Sequence, residues 1–157
     1  MKAILSFGNT GTTLKAANLL QERLPDSVVY DGMKKNKLNF EEIDTLLFGI
    51  NIRMGRLNKS FKKTFKKLQK KNLNISYGAF VVAANEHERN KYMNLVQELL
   101  PEDSYVGFFG GELNPVNAKG VTKRVIMACI KDLEDQKLPL PSLNLDAIED
   151  FAYHFQK

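Results

Sequence analysis

Ala3-Ile4-Leu5-Ser6-Phe7-Gly8-Asn9-Thr10-Gly11-Thr12-Thr13 begins as a short apolar run and breaks into a turn of glycines and hydroxyl residues. Leu14, Ala17, Leu20 and Leu24 then recur at helical spacing, so the segment reads strand, turn, helix. Gly8 and Gly11 let the backbone bend and approach a ligand, while Ser6, Thr10, Thr12 and Thr13 offer hydroxyls and the helix N-terminus presents unpaired N–H groups. The turn is therefore a candidate cradle for a phosphate. A plainer reading stays open, in which it is a polar turn whose Ser and Thr cap a helix. The Gly-Lys-Ser/Thr ending of an NTP-binding loop is missing, which argues against an NTPase, and so is the Gly-x-Gly-x-x-Gly spacing of a dinucleotide fingerprint.

The same alternation continues outward. Val28-Val29-Tyr30, the run from Thr45 to Ile50, Ala79 to Ala84 and Tyr105 to Gly110 are further strand candidates, apolar without polar alternation as buried parallel strands are. Phe61, Phe65 and Leu68 mark one face of a helix from Lys59 to Lys71 that Asn58 can cap. Tyr92, Leu95, Val96 and Leu99 give a helix stopped by Pro101, and Val121, Val125, Ile126, Cys129, Ile130 and Leu133 give another whose start lies near Gly120. Pro139 and Pro141 break the chain before a last amphipathic helix with Leu145, Ile148, Phe151, Ala152 and Phe155. Five such strands with helical crossovers predict an α/β class, a doubly wound five-stranded parallel sheet with helices on both faces, as one domain over 1–157. Ligands of such sheets bind beyond the carboxyl ends of the strands, where strand order reverses.

The chain has 157 residues, 43% apolar and 26% charged, which suits one domain with an ordinary core. No apolar run approaches the roughly 20 residues that span a bilayer, and the opening run is too short for a secretory signal. A single cysteine, Cys129, has no internal disulfide partner, so the cytosol is the expected compartment. Residues 1–71 carry 15 Lys+Arg against 6 Asp+Glu, whereas residues 72–157 carry 8 against 12, so the net +5 hides a basic first half. Seven lysines, Lys59, Lys62, Lys63, Lys66, Lys67, Lys70 and Lys71, fall on the one helix. They form either a solvated outer face or a docking surface for anionic lipid or an acidic redox partner. Nucleic acid fits less well, because Phe61 and Phe65 are spaced for burial rather than for base stacking.

Ser6 with Thr10-Gly11-Thr12-Thr13 resembles the phosphate-binding loop of flavodoxins, which holds the FMN phosphate. Gly49-Ile50-Asn51-Ile52-Arg53-Met54-Gly55-Arg56 is similar to a Gly-x-x-Ile-Arg-x-Gly segment of bacterial menaquinone-dependent protoporphyrinogen oxidases, themselves flavodoxin-like. Phe61-Lys62-Lys63-Thr64-Phe65-Lys66-Lys67 and Gly110-Gly111-Glu112-Leu113 with Pro115 resemble further parts of that family, so the likeness runs along nearly the whole chain. It implies a flavodoxin-like fold and FMN as cofactor. Ser6, Gly8, Asn9, Thr10, Gly11, Thr12 and Thr13 would hold the phosphate; Asn51, Ile52, Arg53, Met54 and Gly55 would border the isoalloxazine; Ala84, Asn85, Glu86 and His87 would close its other side. The resemblance further implies a redox donor, such as a porphyrinogen, an acceptor, such as a quinone, and peripheral contact with the inner membrane face.

Flavodoxins commonly stack the flavin on Tyr or Trp, but the loop from Asn51 to Asn58 has no aromatic residue, that from Asn85 to Lys91 has only His87, and the chain has no Trp. Met54, Arg53 or His87 would have to cover the ring by thioether or cation contact, which predicts weaker flavin binding. Arg53 is either an ordinary solvated arginine or a fixed positive charge suited to a reduced, anionic flavin. His87, among Glu86, Glu88 and Arg89, is either an exposed loop residue or flavin-facing, and His154 is expected at the surface. No Ser-His-Asp set, metal-ligand cluster or carboxylate pair is legible, so the cofactor would carry the chemistry. Two other readings remain: an electron-transfer flavodoxin with no organic substrate, and a flavin-free binding or scaffold protein. The stretch from Asn114 to Leu133 is expected to shape the substrate side.

Overall fold

Continuous apolar runs hydrogen-bonded side by side build a parallel sheet in the computed structural model, which describes residues 1–116 and 118–156. Asn117, inside the predicted polar stretch, and Lys157, at the end of the predicted domain, lie outside the described residues. The strands are β1 (Lys2–Phe7), β2 (Ser27–Asp31), β3 (Thr45–Arg53), β4 (Arg56–Leu57), β5 (Ser76–Val82) and β6 (Tyr105–Phe108). The helices are α1 (Thr12–Arg23), α2 (Lys59–Gln69), α3 (Arg89–Gln97), α4 (Gly120–Asp135) and α5 (Leu145–Phe155). Five strands pair in parallel in the order β2-β1-β3-β5-β6, and the short β4 turns back antiparallel on β3.

Side-chain alternation along each strand feeds two cores. Ala3, Leu5 and Phe7 of β1 join Leu46, Phe48, Ala79 and Val81 under α2 and α3, while Ile4 joins Leu47, Phe80 and Val82 under α1 and α5. Phe61 and Phe65 of α2 stack on each other and meet Phe48 edge-on at 5.4 and 5.6 Å, so the apolar stripe between the lysines is the inner face. Asn58 caps that helix as expected: its Oδ1 accepts from the amides of Ser60 (2.9 Å) and Phe61 (3.2 Å). Its Nδ2 donates to Asn51 Oδ1 at 2.9 Å, which fixes the end of β3 as well. Asn58→Ala should therefore cost about 1 kcal/mol in urea denaturation, the usual value of an N-cap, with a further loss of order at Asn51.

Three departures from the sequence reading bear on the site. The stretch after Ile50 is no simple loop: β3 runs on to Arg53 and folds back through Met54 (φ 53°) and Gly55 (φ 74°), the two left-handed residues of a tight hairpin. The polar segment before α3 is a helical turn over Glu86–Glu88, and α3 starts at once from Arg89. The fifth parallel strand stops at Phe108, earlier than predicted, and the chain makes an excursion over residues 111–142. Its ends are joined where Gly110 bridges Leu143 and the Asn144 amide donates to the Phe109 carbonyl at 2.8 Å. Within it lies α4, sixteen residues of which none is buried. That helix belongs to neither core.

Candidate functional site

The chain passes from β1 outward to β2 and then back across β1 to β3, so the carboxyl ends of β1 and β3 flank the switch point. Immediately after β1 comes the glycine-hydroxyl turn. Gly8 is required there because a Cβ would lie 2.5 Å from Thr13 Oγ1. Gly11, at φ 92°, occupies the N-cap of α1 with no side-chain cap, and no acidic residue sits in the first turn of the helix. Ser6, Thr12 and Thr13 are buried, and Thr12 Oγ1 has no hydrogen-bond partner among the described residues. A buried hydroxyl without a partner costs about 1–3 kcal/mol, so a ligand oxygen at this place relieves a standing penalty. The uncapped N–H groups and helix dipole favour an anion in the same spot. These residues fit a phosphate.

Beside the cradle lies a crevice of about 310 Å³, within the range of small-molecule sites. Thr10, Thr12 and Thr13 form one end. Asn51, Ile52, Arg53 and Met54 reach it from the end of β3, and Ala84 and Asn85 from the end of β5. Met54 is carried to the hairpin tip and is 79% exposed, since the left-handed turn points it away from either core. Arg53 Nη1 donates to Thr122 Oγ1 of α4 at 3.4 Å, which links the hairpin to the excursion. Gly111 sits so close to Ala83 that a Cβ would come within 2.7 Å of its carbonyl carbon, and this keeps the two loops in contact along the crevice floor. Lys15 Nζ donates to both carboxylate oxygens of Glu112 at 3.0 and 3.1 Å, tying α1 to the start of the excursion.

The structure brings nine of the proposed site residues to this crevice, from Thr10, Thr12 and Thr13 through Asn51–Met54 to Ala84 and Asn85. Asn9 lines two polar depressions that it shares with Arg53, while Ser6, Gly8, Gly11 and Gly55 lie in the backbone around the site and do not line this crevice or those depressions. Glu86 and His87 line a different, larger cavity, and the His87 amide donates to Asn85 Oδ1 at 3.2 Å. His154 is exposed and stacks on Tyr105, with ring centroids 3.9 Å apart. Among the described residues no group of three His, Cys, Asp or Glu side chains is placed to hold a metal ion. No helix among them is long and apolar enough to cross a membrane.

Sequence reasoning missed Tyr92. It reads as part of the apolar stripe of α3, yet it lines the crevice and supplies the aromatic ring that the flanking loops lack. Burial, with the charge of Glu88 added, pushes its phenol above the ordinary tyrosine range. Val125, Ile126 and Cys129 of α4 close the opposite wall. Their helical spacing was visible, but only the fold shows that the stripe faces a ligand-sized space.

A doubly wound parallel sheet with a glycine-hydroxyl turn after its first strand and a crevice at the switch point defines an α/β protein of the flavodoxin type. The chain belongs to the flavodoxin domain family, whose model matches residues 3–138. Solved structures of similar fold include a flavoprotein in complex with FMN from Lactobacillus acidophilus NCFM, at 17% identity and TM-score 0.53 over 70% of this chain and 91% of that one. The two-electron reduced flavodoxin of Megasphaera elsdenii is 19% identical with TM-score 0.52, over 83% of this chain and 99% of that one. A Streptococcus pneumoniae TIGR4 flavodoxin is 16% identical with TM-score 0.52, over 86% and 98%. At these identities the likeness is one of fold. No curated protein matches the chain.

Proposed function

We propose that this protein binds FMN at the switch point and works as a flavin oxidoreductase that relays electrons from a reduced donor to an acceptor. The observation that carries this is the buried, partnerless hydroxyl of Thr12 in an uncapped, glycine-bounded helix N-terminus. The FMN bound by the Lactobacillus flavoprotein of similar fold supports the same cofactor. Bound FMN would supply the capacity to take up and pass on electrons at its isoalloxazine. In this reading Thr10, Thr12, Thr13 and the α1 amides hold the phosphate, Tyr92 and Met54 offer the ring contacts, and Arg53 contributes a fixed positive charge at the crevice.

The finer reading is an enzyme similar to menaquinone-dependent protoporphyrinogen oxidase, with a porphyrinogen donor and a quinone acceptor. Its support is the Gly49 to Arg56 segment, which forms the β3 end and hairpin beside the crevice. The second reading is an electron-transfer flavodoxin without an organic substrate, supported by the flavodoxins among the structural neighbours. Protein purified without added cofactor, examined by visible spectrum before and after incubation with FMN, tests the shared part; a folded sample that never takes up flavin would leave the scaffold reading in its place. Turnover of the reduced or reconstituted protein with porphyrinogen or quinone would favour the enzyme, and transfer only to a haem or iron–sulfur protein would favour the carrier.

We further propose that the lysine face of α2 docks the domain on anionic membrane lipid. Among the described residues none of the five lysines of α2, nor Lys70 and Lys71 just beyond it, forms an ion pair, and the inner stripe is already buried, so the outer charge is free to act at a distance. Reversal of Lys62, Lys63, Lys66 and Lys67 to Glu should abolish sedimentation with phosphatidylserine vesicles at low salt. Unchanged binding would remove the basis of the idea.

A further inference from the structure

Under the excursion lies a second cavity of about 730 Å³, bounded by the 84–87 segment on one side and by α4 and the chain returning to Leu143 on the other. It shares Ala84, Asn85, Gly111, Leu113 and Cys129 with the switch-point crevice, so the two spaces meet along one wall. We propose that this cavity binds an uncharged, apolar organic molecule of small-ligand size; that it would there be the reaction partner of a flavin rests on the FMN reading above, whereas the binding itself does not.

Three observations lead to this class of ligand. First, α4 has no buried residue although it carries an apolar stripe, so Leu133 stays partly exposed toward the cavity, and covering it removes apolar surface from water. Second, Leu138 and Leu140 extend the apolar wall, and Pro139 and Pro141 fix the backbone that presents them, which lowers the ordering cost of binding. Third, the charges are of one sign. Among the described residues Glu86 and Asp132 line the cavity and no Lys or Arg does, His87 being the remaining titratable group with a basic side chain. Asp132 accepts a bond from Gln136 Nε2 at 2.9 Å, which orients the carboxylate but leaves its charge in place. An anionic ligand would be repelled and poorly solvated there, while a neutral one escapes that repulsion and can seat on the apolar wall with the carboxylates left toward solvent.

The test compares one ring system with and without a negative charge. The protein, incubated with FMN, is titrated with N-phenyl-1-naphthylamine and with its sulfonated relative 1-anilinonaphthalene-8-sulfonate, following probe fluorescence; FMN binding is measured separately. The expected result is saturable 1:1 binding of the neutral probe, about tenfold tighter than the sulfonate. Leu133→Asp and Leu140→Asp should each weaken the neutral probe about tenfold with FMN affinity unaltered, and Asp132→Asn should narrow the gap between the probes. Binding of the neutral probe by protein that takes up no FMN would uphold this cavity and defeat the flavin reading alone. Absence of saturable binding in folded protein, equal affinity for the sulfonate, or full binding in both Asp variants would overturn the proposal. So would a concentration-dependent dimer that Leu133→Asp dissolves and the probe does not perturb, since a second copy of the chain would then be the occupant.

Discussion

Thr12→Val should stabilise the flavin-free protein and weaken its hold on FMN. Valine keeps the branched shape of the buried side chain but removes the hydroxyl that finds no partner. Relief of that desolvation penalty is worth up to about 1–3 kcal/mol, read as a higher urea midpoint with unchanged slope. In the complex the sign reverses, because a hydrogen bond to a charged phosphate oxygen is lost, a loss of about 1.5–3 kcal/mol, or roughly ten- to a hundredfold in Kd. Fluorescence quenching of FMN on titration with protein reads this directly. The opposed signs are the point: a hydroxyl that merely capped α1 would give a less stable variant, and one remote from the phosphate would leave Kd unchanged.

Phe80→Ala should cost about 3–5 kcal/mol, the range for truncating a fully buried phenylalanine, and this is a large part of the stability of an ordinary domain. The Phe80 ring stacks on Phe109 at 4.4 Å, meets Phe151 of α5 edge-on at 5.8 Å, and closes over Gly49, where a Cβ would come within 2.5 Å of it. It thus pins β3, β5, the end of β6 and α5 together directly below the switch point. Val121→Ala on α4, by contrast, removes two methyls from a residue that is 71% exposed and should stay within about 0.5 kcal/mol of the parent. Urea denaturation of the two variants measures the difference. Comparable losses would mean that the excursion is part of the core after all.

The strands were legible because parallel strands buried on both faces leave continuous apolar runs, as Thr45 to Ile50 and Ala79 to Val82 do. The turn between β1 and α1 was legible because glycines and hydroxyls separate an apolar run from a helical stripe, and the Asn58 cap because it precedes a stripe of Phe61, Phe65 and Leu68. The hairpin at Met54-Gly55 was not, since methionine rarely accepts a left-handed backbone and gives no turn signal. Periodicity shows that α4 has an apolar face but not whether anything covers it; here the parting of the chain at Gly110 and its return at Leu143 leave that face over open space. Tyr92 was hidden for the converse reason, being one residue that both packs on the core and borders the crevice. Glu86 and His87 illustrate a further limit: a helical turn of three residues places them along the second cavity alone, whereas Ala84 and Asn85 line both.

The central claim is a flavin held through its phosphate by the turn between β1 and α1. The most direct measurement is a pair of titrations of the flavin-free protein, one with FMN and one with riboflavin, which differ only in that phosphate. FMN should bind more tightly by about a hundredfold or more, with the advantage sharply reduced in Thr12→Val. Equal affinities for the two flavins, or no binding of either by folded protein, would contradict the account.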